Sequence, residues 1–145
     1  MAYATTQQLA MRLGDVYAEL YRGLDGEPMA EAAQADLDAA SAELDGFAGV
    51  RYAVPVTAPQ ACGLFSAWCL TLAEELAWAR SGRATPDGVK ERCKTVRERL
   101  RELADGKFSL AGAAAEEASA GSANGGVSLV ECDSPVFGRA RMEGF

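Results

Sequence analysis

The chain contains no histidine. That removes the commonest general base near neutral pH and the commonest metal ligand. Its cysteines are Cys62, Cys69, Cys93 and Cys132, and no two stand in a CxxC spacing, so zinc-finger spacing is absent. Cys62 and Cys69 lie two helical turns apart, too far for a bridge between them. Cys62, Cys69 and Cys93 fall on apolar stretches and read as small buried hydrophobes. Reduced thiols fit synthesis in a cytoplasm. The start, "MAYATTQQLAMRLGD", has no basic segment followed by an apolar run, and so no signal-peptide pattern. The most apolar run, "ACGLFSAWCLTLA", gives way to Glu74 and Glu75 and is too short to span a bilayer. No phosphate-binding loop, dinucleotide fingerprint or internal repeat is present.

What remains is a chain of 145 residues, 49% hydrophobic, with a formal net charge of −7. The length suits one domain with one core, and the hydrophobic content implies folding. Alanine is abundant and β-branched residues are scarce in the first two thirds, which favours helix. An acidic chain is poorly suited to wrapping DNA, because phosphate binding needs clustered Lys and Arg.

The periodicity predicts an all-α protein, a small bundle of about four to five helices. Thr5 and Gln8 have capping-box spacing, and Gly14 can end a first short helix carrying Leu9 and Leu13. Residues 15–22 can form a second, followed by a loop at 23–28. From Met29 to Phe47, Ala33, Leu37, Ala40, Leu44 and Phe47 recur at spacings of three and four. The outer face of that stretch carries Glu31, Asp36, Asp38, Glu43 and Asp45, without Lys or Arg. The segment "GFAGVRYAVPV" breaks the helix, and Pro55 and Pro59 keep the connection extended. Residues 60–80 form a central helix that is apolar all round, with Leu64, Phe65, Trp68, Leu70, Leu72, Leu76 and Trp78. Such a helix is covered by its own domain or by neighbouring subunits. A last helix runs over 86–104, with Thr85 as N-cap and Pro86 at the first helical position. It buries Val89, Cys93, Val96, Leu100 and Leu103 and shows Lys90, Arg92, Lys94, Arg97, Arg99 and Arg101 outward.

Past residue 110 the composition changes. Residues 111–126 are nearly all Ala, Gly, Ser and Glu, a linker composition. Residues 127–132, "VSLVEC", are strand-like in content. The end, "SPVFGRARMEGF", carries Val136, Phe137, Met142 and Phe145 interleaved with Arg139 and Arg141. The organisation is therefore a core at 1–110, a linker at 111–126 and an extended C-terminal arm at 127–145. Either the arm folds back on its own core or it reaches for that of another protein. An extended linker of this length reaches roughly 45 Å, more slack than self-coverage needs.

Catalytic readings are weak. No histidine stands ready to activate a cysteine. Glu74–Glu75 and Asp36/Asp38 can be imagined as acid and base, but solvated helix faces explain them more simply. The helix 86–104 admits three readings: a DNA-recognition helix, a solvated face with Glu91, Glu98 and Glu102 at ion-pair spacing, or a partner for the acidic helix. If the acidic and basic helices met between identical subunits through Asp36, Asp38, Glu43, Arg97 and Arg101, the contact would be heterologous and ring-closing. The same pattern also fits packing within one chain.

The opening "MAYATTQQLAMRLGD", the segment "ASAELDGFAGVRYAVPV" and the ending "VFGRARMEGF" together resemble the Mu-like phage and prophage family of small head–tail connector proteins. Leu44, Asp45, Gly46 and Phe47 match that family's Asp-Gly step. Arg51, Tyr52 and Pro55 match its Arg-Tyr-x-x-Pro turn, and Phe137, Arg139, Gly144 and Phe145 match its ending. Gly138 and Glu143 depart from the family's usual Ser and basic residue. The resemblance implies a helical adaptor of the virion neck, assembled in the host cytoplasm. It would form a ring, usually of twelve copies, beneath the portal protein and offer a platform to a stopper or tail-terminator protein. DNA would pass through without specific binding. Neither enzyme activity, cofactor, metal nor membrane is expected. The arm residues Val136, Phe137, Arg139, Arg141, Met142 and Phe145 would then dock on the portal. A small DNA-binding regulator using helix 86–104 is the alternative.

Overall fold

The computed structural model describes residues 2–23, 29–107 and 109–110. Those residues form five helices and no strand: α1 (Thr6–Leu13), α2 (Val16–Leu20), α3 (Ala30–Ala48), α4 (Pro59–Arg80) and α5 (Asp87–Ala104). The linker 111–126, the strand-like 127–132, the arm to Phe145 and most of the 23–28 loop lie outside the described residues.

Each helix forms for local reasons that the sequence displays. Thr5 caps α1: its hydroxyl accepts from the Gln8 amide while the Gln8 side chain accepts from the Thr5 amide. Two otherwise unpaired backbone donors gain partners that way. Gly14 closes α1 at φ 57°, a conformation open to glycine. Helix α3 runs through Gly46 and stops at Gly49, so only the second of the two glycines marks the break. Pro59 sits in the first turn of α4, where its missing N–H has no helical acceptor to lose. Helix α5 starts one residue later than expected. Pro86 is itself the N-cap, in extended geometry, and Asp87 supplies the first-turn carboxylate that favours the helix's positive end.

Helices α3, α4 and α5 pack pairwise on one another, with α1 laid across α3 and α4 and α2 against α1 and α4. Helix α4 therefore touches every other helix, which is why it is apolar all round. Its surplus is covered mainly within the chain: Phe65, Trp68, Cys69, Leu72 and Ala77 are buried, and Leu64, Leu70, Leu76 and Trp78 are half-buried. From α3, Leu37 and Leu44 are fully buried, as are Leu100 and Leu103 from α5. Each such leucine contributes roughly 1.5–3 kcal/mol of burial. Cys69 and Cys93 lie in this core as expected; Cys62 does not, being half-exposed at the start of α4.

Candidate functional site

Four polar clusters hold the helices together, and they decide which charges remain for any other purpose. Asp36 of α3 is buried. Its Oδ2 accepts from the Tyr21 hydroxyl at 2.9 Å and from Arg80 Nε at 3.2 Å, and its Oδ1 accepts from Arg80 Nη2. Burial and the neighbouring carboxylate push the Tyr21 phenol well up, so it stays protonated and donates. Its hydrogen bonds to Asp36 raise the Arg80 guanidinium further, so it stays charged. Glu74 of α4, also buried, accepts from Arg12 Nε of α1 at 3.1 Å and Arg92 Nη2 of α5 at 2.9 Å, while Arg12 also donates to Thr71. Arg97 of α5 meets Glu43 of α3 at 2.8 Å and Glu75 of α4 at 2.7 Å. The Tyr3 hydroxyl donates to Asp45 and accepts from the Val56 amide at 2.9 Å, which seats the 53–57 connection on α3. Among the described residues every buried side-chain nitrogen or oxygen has a partner.

Part of the charge on these helices is paired within one chain. The acidic and basic helices do meet, but inside one chain, at Arg97 and Glu43. Asp36 is closed off by Tyr21 and Arg80 and offers nothing to a neighbour. The physical reason is periodicity: Asp36 falls three residues after Ala33 and four before Ala40, on the buried row of α3. Asp38, on the other hand, is exposed and touches only Gln34 of its own helix. Arg101 is exposed and has no ion-pair partner among the described residues. The arm residues Val136, Phe137, Arg139, Arg141, Met142 and Phe145 lie outside the described residues.

Sequence reasoning missed Glu74 and Glu75. They are not a solvated pair: Glu74 sits between Arg12 of α1 and Arg92 of α5, and Glu75 meets Arg97 of α5. A carboxylate late in an otherwise apolar helix was the available signal. The outer face of α5 is less basic in effect than in composition. Arg92 and Arg97 turn onto α4 and α3, Lys90 pairs with Asp87, and Arg99 pairs with Glu102. Lys94 and Arg101 are the cations of that helix left without an ion pair among the described residues.

Apart from a concavity of about 360 Å³ lined by Thr71, Glu91, Arg92, Thr95 and Val96, two lie beside connections between helices. One, of about 460 Å³, lies beside the α2–α3 turn and is lined by Arg22, Arg80, Arg83 and Glu19 among others. Arg80 and Arg83 in it are already paired, with Asp36 and Glu19. The other, of about 320 Å³, is an apolar groove between the N-terminal residues and the α3–α4 connection, lined by Ala2, Tyr3, Pro55, Val56, Thr57 and Cys62. Among the described residues no group of His, Cys, Asp or Glu is arranged to hold a metal, and no helix is long and apolar enough to cross a membrane.

The family model described as Bacteriophage Mu, Gp36 matches residues 3–129, a span that includes all five helices. No curated protein matches the chain.

Proposed function

Because the chain belongs to the bacteriophage Mu Gp36 family, we propose that this Mu-like phage protein is the head–tail adaptor of a long-tailed phage. In this reading it forms a ring beneath the portal, extends the DNA channel and gives a stopper or terminator protein its seat. Its work is structural, and it needs no cofactor. The family match is the observation that carries the phage role. The adaptor role draws support from the chemistry of the bundle. Its buried polar groups brace helix against helix, and its surface is acidic overall, which lets DNA slide past without adhering.

The regulator reading gains nothing from the structure. Four of the six cations on α5 are held by carboxylates of the same chain. A recognition helix presents its cations to phosphates and bases instead.

Electron microscopy of the phage particle, or of portal co-expressed with this protein, tests the proposal. Ring density fitting the five-helix bundle below the portal is the expected result. A particle whose neck contains no copy of the bundle would overturn it.

A further inference from the structure

We propose that the apolar groove lined by Ala2, Tyr3, Pro55, Val56, Thr57 and Cys62 is the docking site of the chain's own C-terminal segment, residues 136–145, in the free subunit. The inference does not depend on the adaptor reading.

The groove asks for an apolar occupant. Two of its polar side chains are already engaged: the Tyr3 hydroxyl with Asp45 and the Val56 amide, and the Cys62 thiol with the Val56 carbonyl at 3.5 Å. A charged ligand would find no opposite charge among these lining residues, and would lose hydration without compensation. The walls are fixed in place. The Tyr3 amide donates to Ser41 at 3.1 Å, and the Tyr3 ring meets Phe65 edge-on at 5.1 Å. A preformed apolar slot of about 320 Å³ has the volume of roughly ten waters at ~30 Å³ each. It suits one or two large side chains rather than a folded partner.

The position of the chain's exit selects the occupant. The last described residue, Leu110, is buried, and its amide donates to the Tyr52 hydroxyl at 3.2 Å. Tyr52 belongs to the same connection whose residues 55–57 form one wall of the groove. The rest of the chain therefore starts from a residue hydrogen-bonded to that connection. Its aromatic residues are Phe137 and Phe145, both within the final ten positions, with Val136 and Met142 between or beside them. Residues 111–135 can span at most about 80 Å, far more than the return requires. Docking within one chain through a linker of that length corresponds to an effective concentration of roughly a millimolar. In dilute solution a separate molecule cannot match that figure.

One consequence is an exchange: a partner that takes the arm leaves the groove open. The arm residues assigned to the portal by resemblance would thus be parked on the free subunit before assembly.

Cys62 reports on the slot directly, since its thiol lines it while Cys69 and Cys93 are buried. The experiment uses the full chain carrying Cys132→Ser, without portal, and follows the rate of modification of Cys62 by a small aromatic disulfide near pH ~8. Deleting residues 136–145 should speed the reaction at least about ten-fold, the factor for an arm docked roughly nine-tenths of the time. Phe137→Ser with Phe145→Ser in the full-length chain should give most of that gain, and this variant carries the test if the deletion loses its helical signal. The protection should be the same at about 1 μM and about 100 μM protein. Equal rates with and without the arm would overturn the proposal. Protection that appears only as concentration rises would also overturn it, and would assign the groove to the arm of a second copy.

Discussion

Asp36→Ala should destabilise the free subunit by about 2–3 kcal/mol, and the structure supplies the terms. The Tyr21 hydroxyl loses its acceptor. Tyr21 is only 2% exposed, so an unsatisfied donor there costs about 1–3 kcal/mol. Arg80 loses two contacts, but its side chain is 46% exposed and can turn to water. Its share is therefore that of a surface pair, under about 1 kcal/mol. Alanine's better helix propensity returns about 0.5 kcal/mol. For a domain of this size the net loss lowers the melting temperature by roughly 7–14 °C. Urea and thermal melts followed by far-UV circular dichroism measure it, and Tyr21→Phe completes a double-mutant cycle. The coupling should be about 1 kcal/mol, because the double variant strands no hydroxyl. If Asp36→Ala cost less than about 0.5 kcal/mol, as at an ordinary surface site, or if the two changes simply added, Asp36 would not be an intrachain brace.

Alkaline pH should destabilise the protein from about pH 9 upward. Burial raises the Cys93 thiol to about 11, so its contribution is fully present below the unfolded value and is lost as pH rises towards 11. The loss approaches about 2 kcal/mol, and Cys93→Ala should flatten the pH dependence in that window. Arg97→Glu should destabilise the subunit itself by about 2 kcal/mol by placing a third carboxylate against Glu43 and Glu75, whereas Arg101→Glu should change the melt by no more than about 0.5 kcal/mol. Matched urea titrations of the two variants separate them. Gly106→Ala should cost about 1–2 kcal/mol, because residue 106 has φ 75° and the Arg51 guanidinium lies where a Cβ would go. An unchanged melting temperature in that variant would contradict the turn geometry.

The helices were readable because their signals are local. Thr5 and Gln8 are three residues apart and cap α1 as their spacing predicts, and the row Ala33, Leu37, Ala40 and Leu44 is the buried face of α3. The braces were harder to read because their partners are remote. Glu74 meets Arg12 62 residues away, and no pattern within a single helix links the two. Asp36 and Arg97 could have been separated from their neighbours by the helical wheel alone. Each stands at a spacing of three or four from buried residues: Ala33 and Ala40 for one, Cys93 and Leu100 for the other. Treating the acidic face and the basic face as whole surfaces obscured that difference. The groove had no sequence signal at all. It exists because Tyr3 reaches Val56, 53 residues on, through a hydroxyl that any sequence pattern would count as an aromatic core contact.

Locking Asp36, Glu43, Glu74, Glu75 and Arg97 inside the chain has a consequence for assembly. The subunit is braced without neighbours, and in the proposed ring charge pairs between copies would use what is left, such as Asp38, Lys94 and Arg101. Exposed pairs of that kind contribute at most about 1 kcal/mol each. Bringing two free proteins together costs at least about 4 kcal/mol in lost translational and rotational freedom. A few exposed pairs between two copies do not overcome that. In the proposed adaptor, copies held side by side on a portal would be in a different position, because each lateral contact would then form within one assembly at high effective concentration. The isolated protein should therefore sediment as a monomer or small oligomer at micromolar concentration, and close into a ring when portal is supplied. Adding salt should weaken the ring by screening the lateral pairs, while the melting temperature of the free subunit changes little. A closed ring that persists in dilute solution without portal would show that the lateral contacts are far stronger than the surviving surface charges allow.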